Sequence, residues 1–134
     1  MYCFETKLRV RYAETDQMNF VYYGVYAQYY EVGRVELLRS IGISYKRIEA
    51  MGVALPVVSM NVQYKKPIFY DDQIIVKTVV REIPSSRITF FYEILDKDGG
   101  LLNSAEVVLA FLNKETGRVC QAPEIMIERL KAFF

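Results

Sequence analysis

Residues 23–42, YGVYAQYYEVGRVELLRSIG, decide the fold. Tyr26, Tyr29, Tyr30, Gly33, Leu37 and Ile41 recur at i, i+3, i+4, i+7, i+11 and i+15, which lays them along one face of an α-helix. Glu31, Arg34 and Arg39 fall away from that stripe. Gly42 suits the C-cap, where a left-handed residue closes the last turn. Gly33 is the odd member, since glycine in a helix interior costs about 1 kcal/mol against alanine. Its place on the apolar stripe predicts a close approach of helix to sheet.

Upstream, residues 4–12 (FETKLRVRY) alternate. Phe4, Thr6, Leu8, Val10 and Tyr12 share one face and Glu5, Lys7, Arg9 and Arg11 the other, the mark of a strand with one wet side. Residues 13–24 have no clear period and read as a loop. Downstream, 44–51 is a second short helical stretch ending at Gly52. Strand-like runs follow at 53–66, 73–82, 87–96 and 101–112. Pro67, Asp71-Asp72, Pro84-Ser85-Ser86 and Lys97-Asp98-Gly99-Gly100 separate them, the last a strong hairpin signal. The run 101–112 is the most continuously apolar and is expected at the sheet centre. After the turn at 113–117, Pro123 with Ile125, Ile127 and Leu130 suggests a short C-terminal helix.

Strand, long helix, then four strands describe an α+β protein with one helix packed on a largely antiparallel sheet. One helix cannot cover five strands on both sides. The surplus apolar surface calls for a second subunit.

The chain has 134 residues, 52% hydrophobic and 25% charged, within the ordinary range of folded domains. No repeat, linker or low-complexity tract divides it, so residues 1–134 read as one domain. Seventeen basic residues against sixteen acidic leave a net charge of +1, without the basic excess of a broad nucleic-acid surface. The N-terminal residues carry charges early and lack an apolar core, so no secretory signal is read there. No apolar run is long enough to span a membrane. Cys3 and Cys120 form no CxxC pair, which leaves metal and redox motifs without support. A cytoplasmic protein with free thiols is the expectation.

There is no histidine. Ser-His-Asp triads, Cys-His pairs and His-containing zinc sites are thereby excluded. A catalytic base must be a carboxylate, a lysine, a tyrosine or a water held by one of them. Six of the eleven tyrosines fall within residues 12–30, around the loop AETDQMNFV at 13–21. A helix start offers unpaired N–H groups and partial positive charge, which stabilise an oxyanion growing on a carbonyl. Asp16 in the same volume is a candidate base or nucleophile. An aspartate before a helix is more often a cap or turn residue, but Asp16 lies too far ahead of Tyr23 to cap a helix starting there. Glu14 competes locally and otherwise reads as a solvated loop carboxylate. Tyr26, Tyr30 and Leu37 are expected in the core. Tyr22 and Tyr23 precede the stripe and are candidates to line a pocket.

The run from Glu14 to Tyr26, ETDQMNFVYYGVY, continued by Tyr29-Tyr30-Glu31-Val32-Gly33-Arg34, closely resembles the signature of hotdog-fold acyl-CoA thioesterases of the 4-hydroxybenzoyl-CoA thioesterase / YbgC type. That signature reads approximately D-x-D-x-x-G-x-V-[YW]-[HY]-x-x-Y. Tyr64-x-x-Pro67, Asp71-Asp72 and the aliphatic strand after them also look like the family. The resemblance implies a long central helix wrapped by a curved five-stranded, mostly antiparallel sheet. It implies hydrolysis of an acyl-CoA thioester to free acid and CoA, with Asp16 as catalytic carboxylate and the Tyr23 backbone N–H polarising the carbonyl. Coenzyme A would be part of the substrate, and no cofactor or metal is implied. Tyr22, Asn19 and Tyr26 would bind substrate, with Lys65, Lys66 and Arg87 among the candidates for its phosphates. The family works as a homodimer with sites at the interface, often paired into a tetramer.

The departures are Glu14 at the first acid, Asn19 at the usual glycine, and Tyr23 where many members have histidine. Asparagine tolerates the left-handed backbone better than most residues, so the turn survives. Loss of the histidine favours the competing reading, a non-catalytic acyl-binding protein on the same fold. Hydrolysis of acyl-carrier-protein thioesters is a further alternative.

Overall fold

A computed structural model describes residues 1–134. Strand β1 (Tyr2–Arg9) is followed by two short 3-10 turns, Tyr12–Glu14 and Tyr23–Val25, and then by helix α1 (Tyr26–Ser40). Helix α2 (Tyr45–Ala50) leads to β2 (Val53–Ala54), β3 (Val57–Tyr64), β4 (Gln73–Val80), β5 (Arg87–Asp96), β6 (Leu101–Ala110) and β7 (Leu112–Asn113). Helix α3 (Glu124–Lys131) closes the chain. The main sheet has five strands in the order β1-β4-β5-β6-β3, every pair antiparallel. This is the α+β architecture expected from the hotdog resemblance. Helix α1 lies against β1 and β4.

The alternating strands bury one face. Ile74, Val76, Thr78 and Val80 of β4 and Ile88, Phe90, Tyr92 and Ile94 of β5 are closed off from solvent. They meet Tyr26, Tyr29, Tyr30, Leu37 and Ile41 of the helical stripe in one core. Gly33 fulfils its expectation. A Cβ at that position would lie 2.5 Å from Thr78 Oγ1 and 2.9 Å from Val76 Cγ1. Gly42 adopts φ +83° just past α1, as its capping role requires.

Several boundaries differ from the sequence reading. The strand expected at 4–12 spans Tyr2–Arg9, and Tyr12 turns out to solvent with 77% of its surface exposed, because the chain has left the sheet for a 3-10 turn. The strand expected at 53–66 is broken between β2 and β3 at Leu55-Pro56, since proline has no N–H for a ladder; its carbonyl accepts Ala110 N–H instead. The centre of the sheet is β5, with β6 between it and β3. A sheet covered by a helix on one side makes alternation, not unbroken hydrophobicity, the sign of its middle strand.

Arg34 does not fall away from the core. It is 8% exposed, with its Nε donating to Tyr45 Oη at 3.0 Å. Tyr45, at the start of α2, reaches the flank of α1 that periodicity assigned to solvent. In α3, Pro123 is the N-cap residue rather than a first-turn residue. Met126 and Leu130 are buried, while Ile125 and Ile127 are only half-buried. Arg129 of α3 donates to Ile41 O at 2.8 Å, tying the C-terminal helix to the end of α1.

Candidate active site

The loop between β1 and α1 is held by backbone pairing. Thr15 and Val21 form an isolated antiparallel bridge, and Asp16 N–H donates to Phe20 O at 3.0 Å. Inside it, Asn19 N–H donates to Asp16 O at 3.0 Å and Met18 N–H to Asp16 Oδ1 at 2.9 Å. Asp16 therefore caps its own turn with one carboxylate oxygen, and no other hydrogen bond engages the carboxylate. Asn19 adopts φ +70°, the left-handed conformation its side chain was expected to tolerate.

A second set of pairings sews the loop to the segment after β3. Phe20 bridges Phe69, and Val21 N–H donates to Ile68 O at 2.7 Å. This places Asp16 beside residues that lie about fifty positions later. Asp16, Tyr23, Tyr26, Lys65 and Lys66 all line one cleft of about 420 Å³. Met18, Phe20, Val21, Tyr64 and Pro67 complete its walls. Asp16 is its only carboxylate, and Lys65 and Lys66 are its only cations. The Tyr26 and Tyr64 rings meet edge to face at 5.1 Å. Burial, with Tyr64 adding to it, pushes the Tyr26 phenol up to about 12, so it stays neutral at ordinary pH.

The turn at Tyr23–Val25 opens toward α1. Val25 N–H donates to Tyr22 O at 2.9 Å, whereas the N–H groups of Tyr23 and Gly24 have no acceptor in the protein. These are the orphan donors of a helix start. Tyr22 stacks on Tyr23, with centroids 4.6 Å apart, but does not line the cleft. Asn19 does not line it either and faces a neighbouring hollow.

Arg87 is placed elsewhere. It pairs with Ala110, whereas Lys65 and Lys66 N–H both donate to Leu102 O. Eight residues of strand separate those points, roughly 26 Å. Arg87 lines another groove with Arg81, Glu82 and Glu106. Spacing in sequence carried no information on which end of the sheet a cation occupies.

Glu14 is not a solvated loop carboxylate. It is buried, accepting from Arg11 N–H at 2.8 Å, Arg11 Nε at 3.2 Å and the Tyr29 hydroxyl at 3.0 Å. It locks the loop onto α1. Replacing it with alanine leaves the Tyr29 hydroxyl without an acceptor in the core. Glu14→Ala is expected to lose about 1–3 kcal/mol of stability, read as a lower urea midpoint at unchanged slope. Met18, Phe20, Tyr64 and Pro67 were not singled out as site residues. Tyr64-x-x-Pro67 and the run holding Met18 and Phe20 stood in the family-like motifs, but that they share one cleft follows from the long-range pairing of 20–21 with 68–69, which no local pattern contains.

No helix is long and apolar enough to cross a membrane. The model of the thioesterase-like superfamily matches residues 10–130. YneP of Bacillus subtilis (strain 168), provisionally named an acyl-CoA thioesterase, is 35% identical over 90% of this chain and 88% of its own. The acyl-CoA thioester hydrolase YbgC of Escherichia coli O157:H7 is 29% identical over 96% of each chain. The crystal structure of a DHNA-CoA thioesterase from Staphylococcus aureus superposes with a TM-score of 0.90 at 33% identity, covering 99% of this chain and 89% of that one. With the family model matched along most of its length, this chain belongs to the thioesterase-like superfamily and is a thioester hydrolase of the hotdog fold.

Proposed function

We propose that the protein hydrolyses an acyl-CoA thioester to a free carboxylic acid and coenzyme A, with Asp16 as the catalytic carboxylate. The observation that carries this reading is the cleft itself, where one lone carboxylate stands with two lysines and a helix start carrying unpaired N–H groups. The carbonyl oxygen of the thioester sits at the Tyr23 N–H, where the helix terminus stabilises the charge that develops. Asp16 either takes a proton from water as it attacks the carbonyl carbon, or attacks that carbon itself to give a mixed anhydride that water then opens. In both routes the C–S bond breaks and CoA leaves as the thiol. Asp16 Oδ1 is fixed by Met18 N–H, which leaves Oδ2 for the reaction. Lys65 and Lys66 hold the anionic CoA arm at the mouth, and Tyr26 contacts the acyl-bearing end. The names of the similar proteins support an acyl-CoA substrate.

The working unit in this proposal is a homodimer. Strand β3 pairs on one side only, and almost its whole length is exposed. Met60 at 48% and Tyr64 at 53% leave large apolar groups in water beside an open row of N–H and C=O groups. Tyr64 also belongs to the cleft, so a second copy on this edge brings the site to the interface.

The test is release of free thiol from a panel of short, long and aromatic acyl-CoAs, on material sized in solution. Turnover of at least one substrate by a species of twice 15.6 kDa is expected. Binding without turnover across the panel would overturn hydrolysis in favour of an acyl-binding role.

A further inference from the structure

Four donors converge on the oxygens of Glu14, a buried residue that does not line the cleft. Arg11 N–H and Arg11 Nε reach its carboxylate at 2.8 and 3.2 Å, and the Tyr29 hydroxyl at 3.0 Å. Its carbonyl oxygen accepts Tyr22 N–H at 3.0 Å. The Arg11 N–H bond closes the 3-10 turn Tyr12–Glu14 back onto the residue before it. The Tyr29 bond is the only hydrogen bond between residues 10–20 and helix α1. Burial, with the Glu14 carboxylate adding to it, pushes the Tyr29 phenol up and keeps it a donor.

Glu14 joins the two groups that the chemistry needs together. Asp16 follows it by two residues, paired through its own N–H with Phe20 O. Tyr22, whose N–H ends on Glu14 O, immediately precedes Tyr23. The main chain of Glu14 thus ties the Asp16 loop to the turn carrying the free Tyr23 N–H, and its side chain ties both to α1. We infer that Glu14 is a positioning residue, whose clamp on Arg11 and Tyr29 sets the separation between the Asp16 carboxylate and the Tyr23 N–H and so governs the rate of thioester cleavage, not the binding of acyl-CoA. The carbonyl carbon has to meet Asp16, or a water it holds, while the carbonyl oxygen meets Tyr23 N–H. Misplacement by about 1 Å costs up to about 10²-fold in rate. Lys65 and Lys66 are fixed by their own N–H bonds to Leu102 O, with no tie to Glu14, so the hold on the CoA arm is left alone. What acts is the acceptor geometry of Glu14 and not its charge. This rests on the thioesterase reading and adds what aligns its two reacting groups.

The test separates kcat from KM, with an acyl-CoA that the wild type turns over, on variants whose melting curves show them folded at the assay temperature. Tyr29→Phe removes the hydroxyl and leaves the ring in the core. It is expected to lower kcat about tenfold with KM within about twofold. Glu14→Ala is expected to lower kcat roughly 10²-fold, again with little change in KM. Glu14→Gln keeps an oxygen for Arg11 N–H and the Tyr29 hydroxyl and gives up only the Arg11 Nε bond, so its kcat stays within about threefold of the wild type. A Glu14→Gln protein as slow as Glu14→Ala would assign the carboxylate a direct proton role and overturn the inference. A loss carried by KM, or kcat unmoved in both Tyr29→Phe and Glu14→Ala, overturns it as well. The backbone amide resonances of Asp16 and Tyr23 read the alignment without turnover. Both shifting in Tyr29→Phe supports the clamp, and both unmoved overturns it. A wild type that cleaves no thioester fails the hydrolysis reading and leaves the clamp to be judged by these resonances.

Discussion

Asp16→Asn is expected to lower kcat/KM by at least about 10²-fold, the size of a general-base effect, without loss of the fold. The substitution is isosteric. Asparagine keeps an oxygen to accept Met18 N–H, and the backbone bonds from Asp16 N–H to Phe20 O and from Asn19 N–H to Asp16 O do not depend on the side-chain charge. What disappears is the only negative charge on the cleft wall. The tyrosine hydroxyl of Tyr26 cannot replace it, because burial keeps that phenol neutral. Steady-state thiol release and a melting curve on the same preparation check the result. Full activity in the variant, or a melting point that collapses with the activity, would show Asp16 to be a turn residue and no catalyst. A single turnover in water enriched in oxygen-18 then separates the two routes. Label in the Asp16 carboxylate reports attack and an anhydride, and label in the product acid alone reports an activated water.

The second large effect concerns the fold. Gly33→Val is expected to destabilise the protein by more than the roughly 1–3 kcal/mol typical of overpacking, and Gly33→Ala by an amount within that range. Alanine ordinarily gains about 1 kcal/mol over glycine in a helix. Here its Cβ meets Thr78 Oγ1 and Val76 Cγ1 inside contact distance, with Tyr92 Cε1 at 3.2 Å. Thr78 and Val76 are β-branched, fully buried and stiff at χ1, so neither can turn aside cheaply. Relief requires α1 to lift from β4, which uncovers Val76 and Tyr92. The base of the cleft moves with it, since Tyr26 stands on the same helix two turns earlier. Denaturant titration of both variants reads the loss, and a Gly33→Ala protein as stable as the wild type would remove the close contact as its explanation.

Much of this architecture is legible along the chain. The tyrosine stripe of α1, the alternation of β1 and the turn residues between β4, β5 and β6 are local patterns with physical periods. Gly33 announced a close contact because nothing else explains glycine on an apolar helix face. Asp16 and Tyr23, put forward by a signature whose spacing this chain matches, line one cleft, whereas Asn19, from the same signature, does not. Arg34 was misread for the same reason that α1 was read correctly. Helical period reports one packed face, and Tyr45 from beyond the helix meets Arg34 on a flank that no period of α1 encodes. Glu14 was misread because its burial depends on Tyr29 of the helix folding back onto the loop. Arg87 shared a charge with Lys65 and Lys66 but not an end of the sheet.

By itself the sequence determined the element order, the single long helix and the lack of any histidine-dependent chemistry, and it singled out Asp16 as the candidate carboxylate. Those follow from composition and from contacts a few residues long. Only the tertiary structure decided which groups surround that carboxylate. The Phe20–Phe69 bridge and the Val21 bond to Ile68 join segments nearly fifty residues apart and divide the space around Asp16 in two. Such a division is set by long-range backbone pairing, whose partners are selected by the packing of the whole core and leave no mark in any short stretch of chain.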